Sequence, residues 1–175
     1  MATHISLFGG PASGKSTSAA GLFHELKKRH IECELVTEYA KDLVYSKDFM
    51  TLSDQLMVLA KQHHHWFKLD DQLEYTVSDA PFLHSCIYLQ EKDGFPAELF
   101  KKFVVELYKS YDTINIFLER EESYYQEYGR LQNLEECLEI DSQIKSLLDE
   151  NNIPYYSVKI NENTIQNILD LLKFK

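Results

Sequence analysis

Nine residues constrain this chain more than any others. Gly9-Gly10-Pro11-Ala12-Ser13-Gly14-Lys15-Ser16-Thr17 satisfies the spacing GxxxxGK[ST] in full. The apolar run His4 to Phe8 stands directly before it, and a helical pattern follows. Strand, glycine loop and helix in that order make a phosphate cradle. Glycines let the backbone wrap an anion with no side chain in the way, so that loop N–H groups and the helix N-terminus point at it. Lys15 is expected to reach the outer phosphates of a nucleotide, and Ser16 to offer its hydroxyl to Mg²⁺. The expected nucleotide site is therefore Gly9, Gly10, Pro11, Ala12, Ser13, Gly14, Lys15, Ser16 and Thr17, with ATP and Mg²⁺ as ligands. A chance glycine turn would not need the strand before it and the helix after it. By itself the loop does not separate a kinase from an ATPase, a GTPase or a motor. The chain has no NKxD tetrad to select guanine, which argues against a GTPase.

The rest of the chain alternates strand and helix. Apolar runs at Cys33 to Glu38, Tyr75 to Asp79, Thr113 to Glu119 and Pro154 to Ile160 join His4 to Phe8 as expected strands. Between them, Leu52, Leu56, Leu59, His63 and Trp66 fall on one side of a long helix. Leu99, Phe103 and Leu107 mark a second, and Leu134, Cys137, Leu138, Ile144 and Leu148 a third. That order predicts an α/β fold with a parallel sheet covered on both faces and ligands at the carboxyl ends of its strands. With 175 residues, 44% of them hydrophobic, and no repeat or Pro/Gly-rich linker, one domain over 1–175 is expected.

The formal charge of −10 opposes nonspecific binding to a phosphate backbone, so DNA is a disfavoured partner. Lys27-Lys28-Arg29 and Lys101-Lys102 read as solvated helix faces. Cys33, Cys86 and Cys137 lie far apart with no CxxC spacing, which suggests neither a disulfide framework nor a zinc site and fits a reducing compartment. No secretory leader and no apolar stretch of membrane-spanning length is visible, so a soluble cytoplasmic protein is expected. The oligomeric state stays open, a homodimer included.

Three further places carry candidate chemistry. Asp79, closing the third strand, suits a carboxylate that holds Mg²⁺ or orients an acceptor hydroxyl, although an Asp also caps turns. Glu38, closing the second, would face the phosphate loop across the cleft and could take a hydroxyl proton; a helix's first turn also welcomes a Glu. The segment 120–131, rich in charge and tyrosine, reads as a lid in which Arg120 and Arg130 would stabilise migrating phosphoryl charge. Asp141 sits among apolar helix positions and wants a partner, for which a lid arginine is expected. Adjacent residues of a helix point about 100° apart, so His63-His64-His65 cannot chelate as i, i+4 pairs do. Tyr124, Tyr125 and Tyr128 could stack on a base or simply pack the lid.

In order and kind these pieces resemble the bacterial and phage P-loop kinases of AAA type that include the nicotinamide riboside kinase domain of NadR-type proteins. The resemblance lies in Gly9 to Ser16, in Glu38-Tyr39-Ala40-Lys41-Asp42-Leu43-Val44, in Gln62-His63, in Ser78-Asp79 and in Gly129-Arg130. It implies a three-layer P-loop fold with a five-stranded parallel sheet in the order 2-3-1-4-5. It also implies ATP as donor and a nucleoside- or nucleotide-like acceptor, in a bacterial or phage-infected cell. Phosphorylation of a hydroxymethylated pyrimidine in DNA and a regulatory ATPase without a small acceptor are the alternatives. Lys15, Glu38, Asp79, Arg120 and Arg130 are the expected catalytic residues, with Ser16 and Asp79 at the metal.

Overall fold

The first strand, β1 (Thr3–Phe8), is buried beyond its first residue, so both of its faces must be covered and it cannot lie at a solvated edge. In the computed structural model, which describes residues 1–89, 95–120 and 133–173, β1 is the middle strand of five. The others are β2 (Cys33–Val36), β3 (Tyr75–Ser78), β4 (Thr113–Glu119) and β5 (Tyr156–Lys159). The sheet runs β2-β3-β1-β4-β5 with every pairing parallel, as the resemblance implied. Each strand lies within two residues of the run expected for it.

The helices are α1 (Lys15–Lys28), α2 (Tyr39–Ser46), α3 (Phe49–Ser53), α4 (Gln55–Phe67), α5 (Ala97–Lys109), α6 (Leu134–Glu150) and α7 (Thr164–Leu171), with a 3₁₀ turn at Phe82–Cys86. Strand alternation divides them between two layers. Ile5 and Leu7 of β1 pack with Ala19, Leu22 and Leu26 of α1 and with Ile168 and Leu169 of α7. Phe8 turns the other way, into a cluster with Trp66 of α4, Val104 and Tyr108 of α5, and Ile144 and Leu148 of α6. Among the described residues, no helix is long and apolar enough to cross a membrane.

Three of the expected helix faces are corrected, the one on α6 only at Leu138, which is 45% exposed. On α5 the buried residues are Phe100, Val104, Val105 and Tyr108, while Leu99 and Phe103 are exposed at 66% and 56%. Apolar side chains occupy two neighbouring i, i+4 rows of this helix, and the row holding Tyr108 wins. Its hydroxyl can then donate to buried Asn115 of β4 at 2.6 Å. The expected single helix from Leu52 is broken at Asp54, whose carboxylate caps α4 by accepting from the N–H groups of Leu56 and Met57. The cap rotates the buried face to Gln55, Val58, Leu59, Gln62 and Trp66, and Leu56 is left exposed. The lid expected at 120–131 lies outside the described residues except for Arg120, and so do Arg130 and its three tyrosines.

Candidate active site

Sheet order decides what surrounds the phosphate loop. β1 lies between β3 and β4, so the loop that leaves it is flanked by Asp79, next after β3, and by Arg120, next after β4. Glu38 emerges one strand further out, two residues past the end of β2.

The loop turns into α1 at Gly14, whose φ of 73° is left-handed and therefore suits a residue without Cβ. Gly14 caps α1 with no side-chain hydrogen bond, so the first N–H groups of α1 have no capping side chain and remain available to an anion. Ser13 is buried and folds its hydroxyl back to the Gly10 carbonyl at 2.9 Å. Ser16 and Thr17, in the first turn, are exposed. Lys15 Nζ donates to the carbonyls of Gly9 and Gly10, at 2.7 and 2.8 Å.

Gly10 carries a separate constraint. A Cβ built there would lie 2.8 Å from the Cys137 carbonyl and 3.0 Å from Asp141 Oδ1, so the loop can approach α6 only where no side chain intervenes. α6 begins with a capping box in which Asn133 accepts from the Glu136 N–H and the Glu136 carboxylate accepts in return. Two turns on, Asp141 accepts from the Gly10 N–H and from Arg120 Nε at 2.8 Å. Arg120 Nη2 donates to the Pro11 carbonyl at 2.8 Å. Asp141 thus has the arginine partner expected for it, and the pair straps the phosphate loop to α6.

All of these charges meet around Lys15. Burial pulls its ammonium below the ordinary lysine value, Glu38, Asp79 and Asp141 work against that drop, and Arg120 adds to it. Asp79 is 4% exposed and its Oδ1 is buried with no hydrogen-bond partner among the described residues. Arg120 Nη1 is in the same condition. Polar atoms left in this state at a cleft suit a polar ligand. Of the residues expected here, Lys15, Glu38, Asp79 and Arg120 are brought together, and Arg130 lies outside the described residues.

The sequence reading missed His84, in the 3₁₀ turn five residues after Asp79. Burial, aided by the Lys15 charge, holds its pKa down at about 3. The ring is therefore a neutral imidazole at physiological pH, edge-on to Phe8 at 5.3 Å. One signal could have found it: a lone imidazole inside the run Ala80-Pro81-Phe82-Leu83-His84, directly after a candidate metal ligand.

Residues 4–164 match the model of a family described as AAA domain. The chain belongs to that family. Solved structures similar to this AAA domain include deoxyadenosine kinase from M. mycoides with products dCMP and a flexible dCDP bound. It is 17% identical with a TM-score of 0.65, over 98% of this chain and 100% of the kinase. Thymidylate kinase from Ehrlichia chaffeensis is 15% identical with a TM-score of 0.66, over 99% of each chain. The APS kinase CysC of Mycobacterium tuberculosis, as its Cys556Ala mutant, gives 14% and 0.50 over 98% and 97%. At these identities the likeness shows that the AAA domain has the P-loop kinase fold. No curated protein matches the chain.

Proposed function

We propose that this chain is a kinase that moves the γ-phosphate of ATP to a hydroxyl of a nucleoside- or nucleotide-like acceptor. The observation that carries this is the convergence of Lys15, Glu38, Asp79 and Arg120 from the ends of four neighbouring strands. A phosphate loop and one metal-holding carboxylate suffice to hydrolyse ATP. A second carboxylate one strand further out is what an acceptor hydroxyl requires. The deoxyadenosine and thymidylate kinases that share the fold support an acceptor of this class.

Roles follow from position. Lys15 and the N-terminus of α1 hold the nucleotide's phosphates. Asp79 stands beside the loop with a buried oxygen that has no partner among the described residues, and Ser16 lies exposed on the first turn. That pair of hard oxygen donors fits Mg²⁺, which keeps phosphate and water as its other ligands. When bound, Mg²⁺ would neutralise charge developing on the phosphates. Glu38, further out, orients the acceptor hydroxyl and takes its proton. Arg120 acts through the loop it straps, and Arg130 is proposed to supply charge to the transferring group.

The test is ADP formation from Mg-ATP with pooled deoxynucleosides or nucleoside monophosphates, each against a no-acceptor control, for wild type and Lys15→Ala. Stimulation of wild type by one pool, absent in the variant, is expected. A wild-type rate that no pool raises would sink the proposal. Glu38→Gln is expected to lose the stimulation while keeping Mg-ATP affinity, and Asp79→Asn to lose affinity as well.

A further inference from the structure

A helix start leaves N–H groups without intrahelical partners, and the cap residue usually lends its own side chain to one of them. At α2 it does not. Glu38 is the cap residue, its backbone is extended, and its carboxylate makes no cap hydrogen bond. The first N–H of the helix, that of Tyr39, donates instead to Gln62 Oε1 at 2.9 Å. Gln62 Nε2 in turn donates to the Thr37 carbonyl at 3.2 Å. One side-chain amide from α4 therefore grips the chain on both sides of Glu38.

The grip is dry. Gln62 is 4% exposed and shares the buried stripe of α4 with Val58, Leu59 and Trp66. A primary amide buried there would be costly without partners, and these two backbone groups supply one for its oxygen and one for its nitrogen. Losing either bond would leave a polar group stranded as well as release the strand end.

We propose that Gln62 is the positioning residue for Glu38. By taking over the capping of α2 it leaves the Glu38 carboxylate turned to the cleft shared with Lys15, not folded back onto its own helix. The inference rests on Glu38 being the carboxylate that meets the acceptor hydroxyl. It explains why a glutamine stands among Val58, Leu59 and Trp66 on the buried face of α4.

Gln62→Met keeps the side-chain volume and removes both bonds; Gln62→Glu keeps both while its carboxyl is protonated. ADP release from Mg-ATP and pooled deoxynucleosides is measured for wild type, Gln62→Met, Gln62→Glu, Glu38→Gln and the Gln62→Met/Glu38→Gln double variant. Gln62→Met should lower acceptor-stimulated kcat by about 100-fold, the scale of a small misplacement of a reacting group, with KM for Mg-ATP unchanged. It should add nothing to Glu38→Gln. Judged against wild type at the same pH, Gln62→Glu should keep most of the rate while its carboxyl is protonated and lose it as that carboxyl ionises. A wild-type kcat in Gln62→Met, or a double variant that multiplies the two losses, would overturn the proposal. Amide exchange at Tyr39, followed by NMR, needs no acceptor. It should be about tenfold faster in Gln62→Met, with the core amides of α4 unaltered, and unchanged exchange would also overturn the proposal. If no acceptor stimulates wild type, the kinase proposal fails, while the exchange result still decides whether Gln62 holds the Glu38 segment.

Discussion

Arg120 and Asp141 meet through a 2.8 Å contact between Nε and Oδ2, and each side chain also bonds the phosphate loop, Arg120 at Pro11 and Asp141 at Gly10. Their side chains are 5% and 13% exposed. A pair this enclosed costs most when only one member is removed, because the other is left as a buried lone charge.

Asp141→Ala should therefore destabilise the fold by about 3 kcal/mol, the low end for breaking a buried pair, and should weaken ATP binding because the loop loses its strap. Asp141→Asn, which still offers an oxygen to the Gly10 N–H, should fall between the two. Urea unfolding and nucleotide titration check this. A loss below about 1 kcal/mol, the scale of an exposed pair, with unchanged ATP affinity would mean that the strap is not there.

Two glycines should respond differently to alanine. At Gly10 the added methyl meets the Cys137 carbonyl of α6 at 2.8 Å, and backbone cannot step aside cheaply. About 1–3 kcal/mol of stability should be lost, as in other overpacked sites, together with nucleotide affinity. At Gly21, within α1, the methyl meets the flexible side chain of Ile165, Cδ1 at 3.0 Å and Cγ1 at 3.1 Å. There the gain in helix propensity, up to about 1 kcal/mol, should offset the crowding. Thermal melts of the two variants separate the cases.

Lys15→Ala should cut turnover by at least about 100-fold, as loss of a preorganised charge at a reacting group does. Its fold should be no less stable than wild type. The ammonium is held below its ordinary pKa by burial, so its removal relieves a desolvation cost. Kinetics and denaturant midpoints on one preparation test both halves, and a large loss of stability would contradict the second.

His84 predicts the acid limb of stability. Its pKa drops from 6.5 to about 3 on folding, so between those values the unfolded chain binds a proton that the folded chain refuses. Stability present above pH 6.5 is then lost as pH falls toward 3. From pH 6.5 to pH 5 the loss from this one group is at most about 2 kcal/mol. His4, His63 and His65 are also lowered by burial and add in the same direction. His84→Gln should flatten the dependence measured by urea unfolding at pH 7 and pH 5. An equal slope in wild type and variant would remove His84 as its cause.

Features built from residues close along the chain are legible in the sequence. The phosphate loop is a run of neighbours whose spacing sets its own backbone, and the five strands are short apolar runs punctuated by turns. Both are readable because the forces that form them act over a few residues. Asp141 could be read as an inward acid because a single charge stands out against an apolar period. The remaining features depend on how the elements pack. Leu99 and Phe103 look as apolar as Phe100 and Val104, and only the buried Asn115 opposite Tyr108 selects the row that goes inside. Gln62 stands 24 positions after Glu38 and Asp141 stands 131 after Gly10. Nothing local marks either as a partner, because a hydrogen bond between distant residues exists only once the crossovers have carried their helices to the same end of the sheet.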